Sequence, residues 1–267
     1  MAILGQSTLC PNQQETQMEV GTAMTFLRSL ICSVLLSSTV AFAQIPSNAI
    51  TSSNLDDSPY WQWNHDPGTP GTSVGSSTYP VANPSLDGAS REFDVAYSDY
   101  GGELYHLLFG QDTTATTFIY DTYVYITDPT QVQNLELDVN QVLADDETII
   151  FATQCSSISG TWEYTYVSGG APHWKASNLP CNPLNWAPNK WHHIQIQMHR
   201  DSGDVVTHDW VKFDNGNKRY FKNAVGASGL FLNWGIGDLV LNFQVDGASA
   251  NSGTIQGYLD QMQVTRW

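Results

Sequence analysis

The chain of 267 residues carries 26 acidic and 10 basic side chains, which gives a formal net charge of −16 at pH 7. This charge argues against nucleic acid and against an anionic membrane surface as partners, because both attract basic faces. It is compatible with neutral or cationic ligands, and it disfavours acidic polymers.

The N-terminal segment is typical of a signal peptide. Residues 24–28 form a short basic start, residues 29–40 form an apolar run, and Ala41-Phe42-Ala43 fits a small-x-small cleavage site. The apolar run is shorter than the roughly 20 residues that a transmembrane helix needs, so no membrane insertion is expected. We therefore predict that residues 1–43 are a leader whose true start is Met24, and that the protein is secreted, either extracellular or periplasmic.

The rest of the chain has the length of one all-β domain. Residues 44–54 are polar and predict a flexible lead-in. Residues 64–90 are rich in proline, glycine and serine, which predicts long loops. There is no internal repeat or interdomain linker, so residues 55–267 are predicted to form a single domain.

Strand signals recur through that domain, and no run shows a sustained helical period. The predicted strands are rich in aromatic and β-branched residues or alternate between polar and apolar residues. Turn residues such as Asn215-Gly216 separate them. Together these patterns predict a two-sheet antiparallel sandwich of the jelly-roll type. The predicted strands are 118–126, 133–140, 148–154, 161–167, 191–198, 209–213, 218–221, 238–245 and 258–265.

Two cysteines, Cys155 and Cys181, remain once the predicted leader is removed. A single pair of cysteines in an exported chain predicts one disulfide. It would close a loop of about 26 residues and contribute about 3 to 4 kcal/mol to stability.

The stretch 135–140 alternates between apolar and polar residues. Because alternate residues of a strand share a face, its apolar residues are predicted to face the core, while Glu136, Asp138 and Asn140 project together from the other face. An ordinary half-exposed strand would show the same alternation. The neighbouring strands are strongly apolar, however, so this strand is predicted to be central, and two acids and an amide there favour a functional site.

Residues 136–141, Glu-Leu-Asp-Val-Asn-Gln, resemble the Glu-x-Asp-x-x-Glu strand motif of the concanavalin A-like glucanases. The resemblance implies that Glu136 is the nucleophile of a retaining glycoside hydrolase and that Asp138 supports it. The third position, the acid/base of that family, is occupied here by Gln141, which cannot deliver a proton. A hydrolase would therefore need an acid from elsewhere in the chain.

The same strand resembles the Val-Glu-Leu-Asp-Thr strand of the legume lectins, whose acids hold a manganese–calcium pair. By this resemblance Asp145 and Asp146, on the following loop, would bind Ca²⁺ through hard oxygen ligands. A plain turn is the alternative interpretation. No other cofactor is expected.

A second resemblance lies further along the chain. Trp191-His192-His193-Ile194, followed by Asp214-Asn215-Gly216, resembles the Trp-His strand and Asp-Gly hairpin of laminin-G-like, pentraxin-like and glucanase jelly rolls. The likeness covers residues 85–267 and implies a concanavalin A-like fold, which hosts lectins, hydrolases and lyases alike. The whole chain also resembles uncharacterised secreted jelly-roll proteins of soil bacteria.

Nine Trp and twelve Tyr exceed what one core needs. Indole rings stack on the C–H faces of sugars, although any one of these Trp could equally be structural. Gln154 would lie beside Glu136 if their strands pair as a hairpin. The predicted ligand-binding residues are Asn140, Gln141, Gln154, Trp162, Trp174, Trp186 and Trp210.

These features favour a secreted protein that binds a neutral polysaccharide in a groove lined by acids, amides and Trp. The alternative is a retaining endo-β-glucanase with Glu136 as the nucleophile. A structural or adhesive surface protein is a third reading, and it predicts that Glu136 lies away from any cleft.

Overall fold

The computed structural model describes residues 44–226, 229–235 and 237–267. The predicted leader, residues 1–43, therefore lies outside the described residues. Within the described ranges, the only helical elements are two single 3-10 turns, Pro129–Gln131 and Pro183–Asn185, and no helix is long and apolar enough to cross a membrane.

The rest of the described structure consists of strands joined by loops. In chain order they are β1 (Ile50–Ser52), β2 (Gln62–His65), β3 (Thr72–Val81), β4 (Ser90–Ser98), β5 (Gly102–Gln111), β6 (Thr117–Ile126), β7 (Val132–Val142), β8 (Thr148–Ser156), β9 (Thr161–Ser168), β10 (Ala171–Pro180), β11 (Lys190–Arg200), β12 (Val206–Phe213), β13 (Arg219–Tyr220), β14 (Asp238–Gly247) and β15 (Gly253–Arg266).

These strands form two antiparallel sheets. The eight-stranded sheet has the order β13-β12-β11-β6-β15-β4-β3, with β1 added to β15, and the seven-stranded sheet has the order β10-β9-β8-β7-β14-β5-β2. Neither sheet closes on itself, so the architecture is the two-sheet antiparallel jelly-roll sandwich that the sequence predicts.

The core lies between the two sheets. Leu135, Leu137 and Val139 of β7 point into it and are fully buried, as their alternation predicts. β7 is the central strand of the seven-stranded sheet, with β8 on one side and β14 on the other. Its polar residues therefore emerge from the middle of the sheet, on the face that points away from the core.

The predicted disulfide joins Cys155 to Cys181, with their Cα atoms 5.3 Å apart. Cys155 lies on β8, and the bridge ties that strand to the segment that follows β10. The prediction from the cysteine count is confirmed.

The Trp-His and Asp-Gly resemblance also has a structural explanation. The buried Nδ1 of His192 lies 3.1 Å from the carboxylate of Asp214, and the backbone N–H of His193 donates to the same carboxylate. These bonds connect β11 to the turn after β12, so they stabilise the fold away from the polar face of β7.

Two expectations for the N-terminal part differ from the structure. The segment predicted as a flexible lead-in contains β1, which pairs with the last residues of β15. The segment predicted as long loops contains β3, which pairs along β4 at a sheet edge. An edge strand is held by backbone hydrogen bonds more than by burial, so β3 can form from serine, threonine and glycine without the apolar pattern used to find strands.

Candidate functional site

A cleft of about 540 Å³ lies over the outward face of the seven-stranded sheet. Its floor comes from three neighbouring strands, β8, β7 and β14, whose registers are continuous along this stretch. Alternation along each strand brings polar side chains to the same face. The floor is formed by Gln154 of β8, Asn134, Glu136, Asp138 and Asn140 of β7, and Asn242, Gln244 and Asp246 of β14.

Cross-strand pairing sets the order of these side chains. Glu136 lies between Gln154 and Gln244, because it pairs with both. Asp138 pairs with Asn242 in the next row of the sheet. The hairpin position predicted for Gln154 beside Glu136 is therefore the one found.

The amide groups of the floor donate to carboxylates. Asn242 Nδ2 lies 3.4 Å from Asp138 Oδ2, and Asn134 Nδ2 lies 2.9 Å from Asp246 Oδ2. Gln244 Nε2 donates to Asp246 Oδ1 at 3.0 Å and to Asp66 at the same distance. Since a carboxylate accepts and does not donate when ionised, these bonds orient the amides with their carbonyl oxygens turned to other neighbours.

Four buried side-chain oxygens of the floor lack hydrogen-bond donors. Asn134, Asn140 and Asn242 each have a buried Oδ1 without a hydrogen-bond partner among the described residues, and so does Asp138. All four side chains are at least nine-tenths buried and line the cleft. A buried acceptor without a donor costs free energy, so the floor is suited to a ligand that donates hydrogen bonds.

The carboxyl groups of the floor are hard to ionise. Burial, followed by the charge of Asp138 and a hydrogen bond to it, raises the pKa of Glu136 well above its usual value. Burial also raises the pKa of Asp138 to about 6, although bonds from Glu136 and Asn242 oppose that rise. Burial therefore favours the protonated form of both carboxyls, and it does so most strongly for Glu136.

One wall of the cleft is apolar. Ile150, Ala152 and Leu230 form a small buried cluster, against which Trp174 of β10 and Leu232 pack. Trp174 is half-buried, and the exposed Trp234 also lines the cleft. The cleft thus joins a polar floor to an aromatic wall, which is typical of sites that hold amphipathic ligands.

Gln141 does not reach the cleft, contrary to the prediction from the glucanase motif. β7 pairs without a register shift from Asn134 to Val142, so Gln141 falls on the core side together with Leu137 and Val139. Its Nε2 donates to the carbonyl of Ala115 at 2.9 Å, and its Oε1 accepts from Arg200 Nε at 3.1 Å. Its role is structural.

Trp162 and Trp186 lie outside the cleft, although both are predicted to bind the ligand. Trp162 pairs directly with Cys155 and shares its inward face, so it is buried in the core. Trp186 packs against His192 and Phe213, with ring centroids 5.1 and 5.2 Å away. Both Trp line a separate cavity of about 400 Å³ near the disulfide.

Trp210 also lies outside the cleft, because it belongs to β12 of the eight-stranded sheet. Its indole N–H donates to Gln197 Oε1 at 3.1 Å, and the Lys218 ammonium lies 3.9 Å from the ring centroid. These contacts explain its burial without a ligand. Of the four predicted Trp, only Trp174 lines the cleft.

The loop suggested for Ca²⁺ is a tight turn between β7 and β8. The backbone N–H of Glu147 donates to Asp145 Oδ1 at 3.3 Å, and the backbone N–H of Leu143 donates to the Glu147 carbonyl at 2.8 Å. No group of three or more His, Cys, Asp or Glu residues suited to a metal is found in the described part of the chain. Binding of Ca²⁺ by Asp145 and Asp146 stays a prediction.

Apart from Trp174, the sequence analysis missed the cleft residues outside β7 and β8. Asn242, Gln244 and Asp246 alternate with Phe243 and Val245, which repeats the pattern that identified β7. That alternation was the available signal. Asp66 and Trp234 lie on loops, where no periodicity marks a side chain as part of a site.

Fold and cleft together define a jelly-roll sandwich with an acidic, amide-rich cleft on its seven-stranded sheet. No family model and no curated protein matches the chain. Solved structures do match. One is a structure from work on the promiscuous specificity of carbohydrate-binding modules from the β-sandwich superfamily. It has a TM-score of 0.41 and 10% identity, covering 79% of this chain and 60% of that one.

Two further structures have similar statistics. A carbohydrate esterase of the Shiga toxin-encoding bacteriophage phi24B has a TM-score of 0.43 and 10% identity, over 78% of this chain and 90% of that one. A Bacillus licheniformis β-glucanase has a TM-score of 0.37 and 10% identity, over 76% of this chain and 97% of that one. Similarities at this level do not identify a ligand for this chain.

Proposed function

We propose that the protein binds a neutral polysaccharide in the cleft of the seven-stranded sheet. The observation that carries the proposal is that the cleft combines buried oxygen acceptors without donors and an aromatic wall that includes Trp174. The four acceptors belong to Asn134, Asp138, Asn140 and Asn242. Sugar hydroxyls supply donors to such oxygens, and the C–H face of a sugar ring stacks on indole. Together with the predicted signal peptide, this favours a role outside the cell.

Binding is tested by calorimetric titration with a panel of neutral polysaccharides that includes β-glucan, mannan, xylan and galactan. Trp174→Ala should weaken binding of the preferred polymer at least tenfold, which corresponds to about 1.4 kcal/mol. Trp191→Ala is the matched control, because Trp191 is also half-buried but lies on the eight-stranded sheet. The proposal fails if no polymer binds, or if the two variants lose affinity equally.

A glycoside hydrolase is the second candidate, and the raised pKa of Glu136 favours it. A group that is protonated at neutral pH is suited to be a general acid, whereas a nucleophile must be ionised. The pair therefore supports Glu136 as an acid better than as the nucleophile implied by the glucanase motif. Asp138 and Asp246, whose pKa values are near 6, would be the candidate bases.

Hydrolysis is tested by reducing-end release from the same polysaccharide panel. A hydrolase of this kind would release sugar, and Glu136→Gln would abolish the release while the polymer still binds. Release that persists in the variant would contradict the role of Glu136. Binding without release from any polymer would leave carbohydrate binding as the function.

A further inference from the structure

The charge of the cleft is unbalanced. Its lining includes the carboxyls of Asp66, Glu136, Asp138 and Asp246, and no Lys, Arg or His among the described residues. Burial raises the pKa of Glu136 and so favours its neutral form, but the buried Asp138 and Asp246 and the half-buried Asp66 have no basic partner in the cleft. A buried charge without a partner is costly, so this arrangement favours a ligand that brings positive charge.

The hydrogen-bonding groups of the cleft floor also favour a cationic ligand. The NH₂ groups of Asn134, Asn242 and Gln244 already donate to carboxylates, and Oδ1 of Asn134 and of Asn242 has no donor among the described residues. A hydroxyl donates one hydrogen bond and brings lone pairs that must compete for the remaining amide N–H groups of the floor. An ammonium group has three donors and no acceptor, so it matches a floor of acceptors more completely.

The apolar wall limits what carries this ammonium group. Trp174 and Leu232 lie beside the polar floor, so the ligand needs a broad apolar face next to its charge. A pyranose ring with a free amine has both features, while a small inorganic cation has no face to stack.

We propose that the cleft binds an amino sugar through its primary ammonium group, held by the neighbouring carboxylates of Asp66 and Asp246, which both accept from Gln244 Nε2. This inference rests on the proposed function and specifies its ligand: the polysaccharide is neutral except that at least one of its units carries a free amine. Hydroxyl groups of the neighbouring, uncharged units would bind as described above.

The test compares three sets of β-1,4-linked oligomers of equal length, built from glucosamine, N-acetylglucosamine or glucose. The three differ only at one ring position, which is an ammonium group, an acetamide or a hydroxyl. The glucosamine oligomer should bind at least tenfold more tightly than the other two at low salt. Equal or weaker binding of the glucosamine oligomer would overturn the inference.

Two variants distinguish a specific ammonium site from general attraction of a cationic ligand to an acidic protein. Asp246→Asn removes a charge from the cleft and should abolish the preference for the amine, while any binding of neutral oligomers is retained. Asp99→Asn removes a charge from an exposed turn and should leave the preference unchanged. Equal effects of the two variants would show non-specific attraction and would contradict the proposal.

The outcomes also distinguish this inference from the function on which it rests. If neutral polysaccharides bind but glucosamine oligomers bind no better, the ammonium site is wrong and carbohydrate binding stands. If no carbohydrate binds, both are wrong.

Discussion

Replacing Asp246 by asparagine is expected to stabilise the protein at neutral pH but not at acidic pH. Burial raises the pKa of Asp246 from 3.8 to about 6, although hydrogen bonds from Asn134 and Gln244 partly oppose the rise. An acid that is harder to ionise in the folded state than in the unfolded state disfavours folding once the pH is high enough to ionise it.

The magnitude follows from the pKa difference. Below pH 4 the carboxyl is protonated in both states and its charge costs nothing. As the pH rises through about 6, the unfolded state loses its proton first, so the free energy of unfolding falls. Roughly two pKa units correspond to about 3 kcal/mol. Asparagine resembles the protonated carboxyl and cannot ionise, so Asp246→Asn should recover about 3 kcal/mol at pH 8.

Urea unfolding at pH 4 and pH 8 measures the effect. The variant should have a higher midpoint than the original protein at pH 8 and a similar midpoint at pH 4. Asp99→Asn, on the surface, should change neither midpoint. If Asp246→Asn lowers stability equally at both pH values, the bonds from Asn134 and Gln244 outweigh the cost of the buried charge, and the reasoning is refuted.

Three further predictions concern the core. Gln141→Glu should lower the free energy of unfolding by about 1 to 3 kcal/mol, because a carboxylate cannot donate the hydrogen bond that Gln141 gives to the Ala115 carbonyl. The variant should show no hydrolytic activity, and a gain in reducing-end release would contradict the inward position of residue 141. Replacing Cys155 and Cys181 together by serine should cost about 3 to 4 kcal/mol in urea unfolding, and an unchanged midpoint would refute this. Burial lowers the pKa of His208 to about 4, so its contribution to stability is present above pH 6.5 and lost as the pH falls through about 4. His208→Gln should therefore reduce the loss of stability over that range by about 3 kcal/mol, and an unchanged pH profile would contradict it.

The sequence correctly predicted the features that depend on the alternation of polar and apolar residues and on the number of cysteines. Strict alternation on both sides of Asp138 indicated which residues of β7 face outward, and the same strand proved to be central. The hairpin from β7 to β8 brought Gln154 to Glu136 because their antiparallel register continues unbroken. Local periodicity carries this information, so no long-range contact had to be known.

The sequence could not place the aromatic side chains. A Trp has the same sugar-binding chemistry wherever it lies, and only the pairing with Cys155 shows that Trp162 points inward. Trp210 belongs to the other sheet altogether, which strand order alone reveals. For Gln141 the resemblance to a motif was given more weight than alternation, although its odd position matches that of Leu137 and predicts an inward side chain.

Long-range pairing also explains why the contribution of β14 to the site was missed. Its strand was predicted, but nothing local indicates that Asn242 lies opposite Asp138, more than one hundred residues earlier in the chain. The site is therefore divided between a hairpin that sequence can predict and a strand that only the fold brings to it.

The central claim is that carbohydrate binds in the cleft of the seven-stranded sheet. Its most direct test is a two-dimensional NMR titration that follows the indole N–H signals of the nine Trp residues while the preferred oligosaccharide is added. The account predicts that the signals of Trp174 and Trp234 shift, while those of Trp162, Trp186 and Trp210 do not. Shifts at Trp186 or Trp210 with none at Trp174 would place the ligand elsewhere and would contradict it.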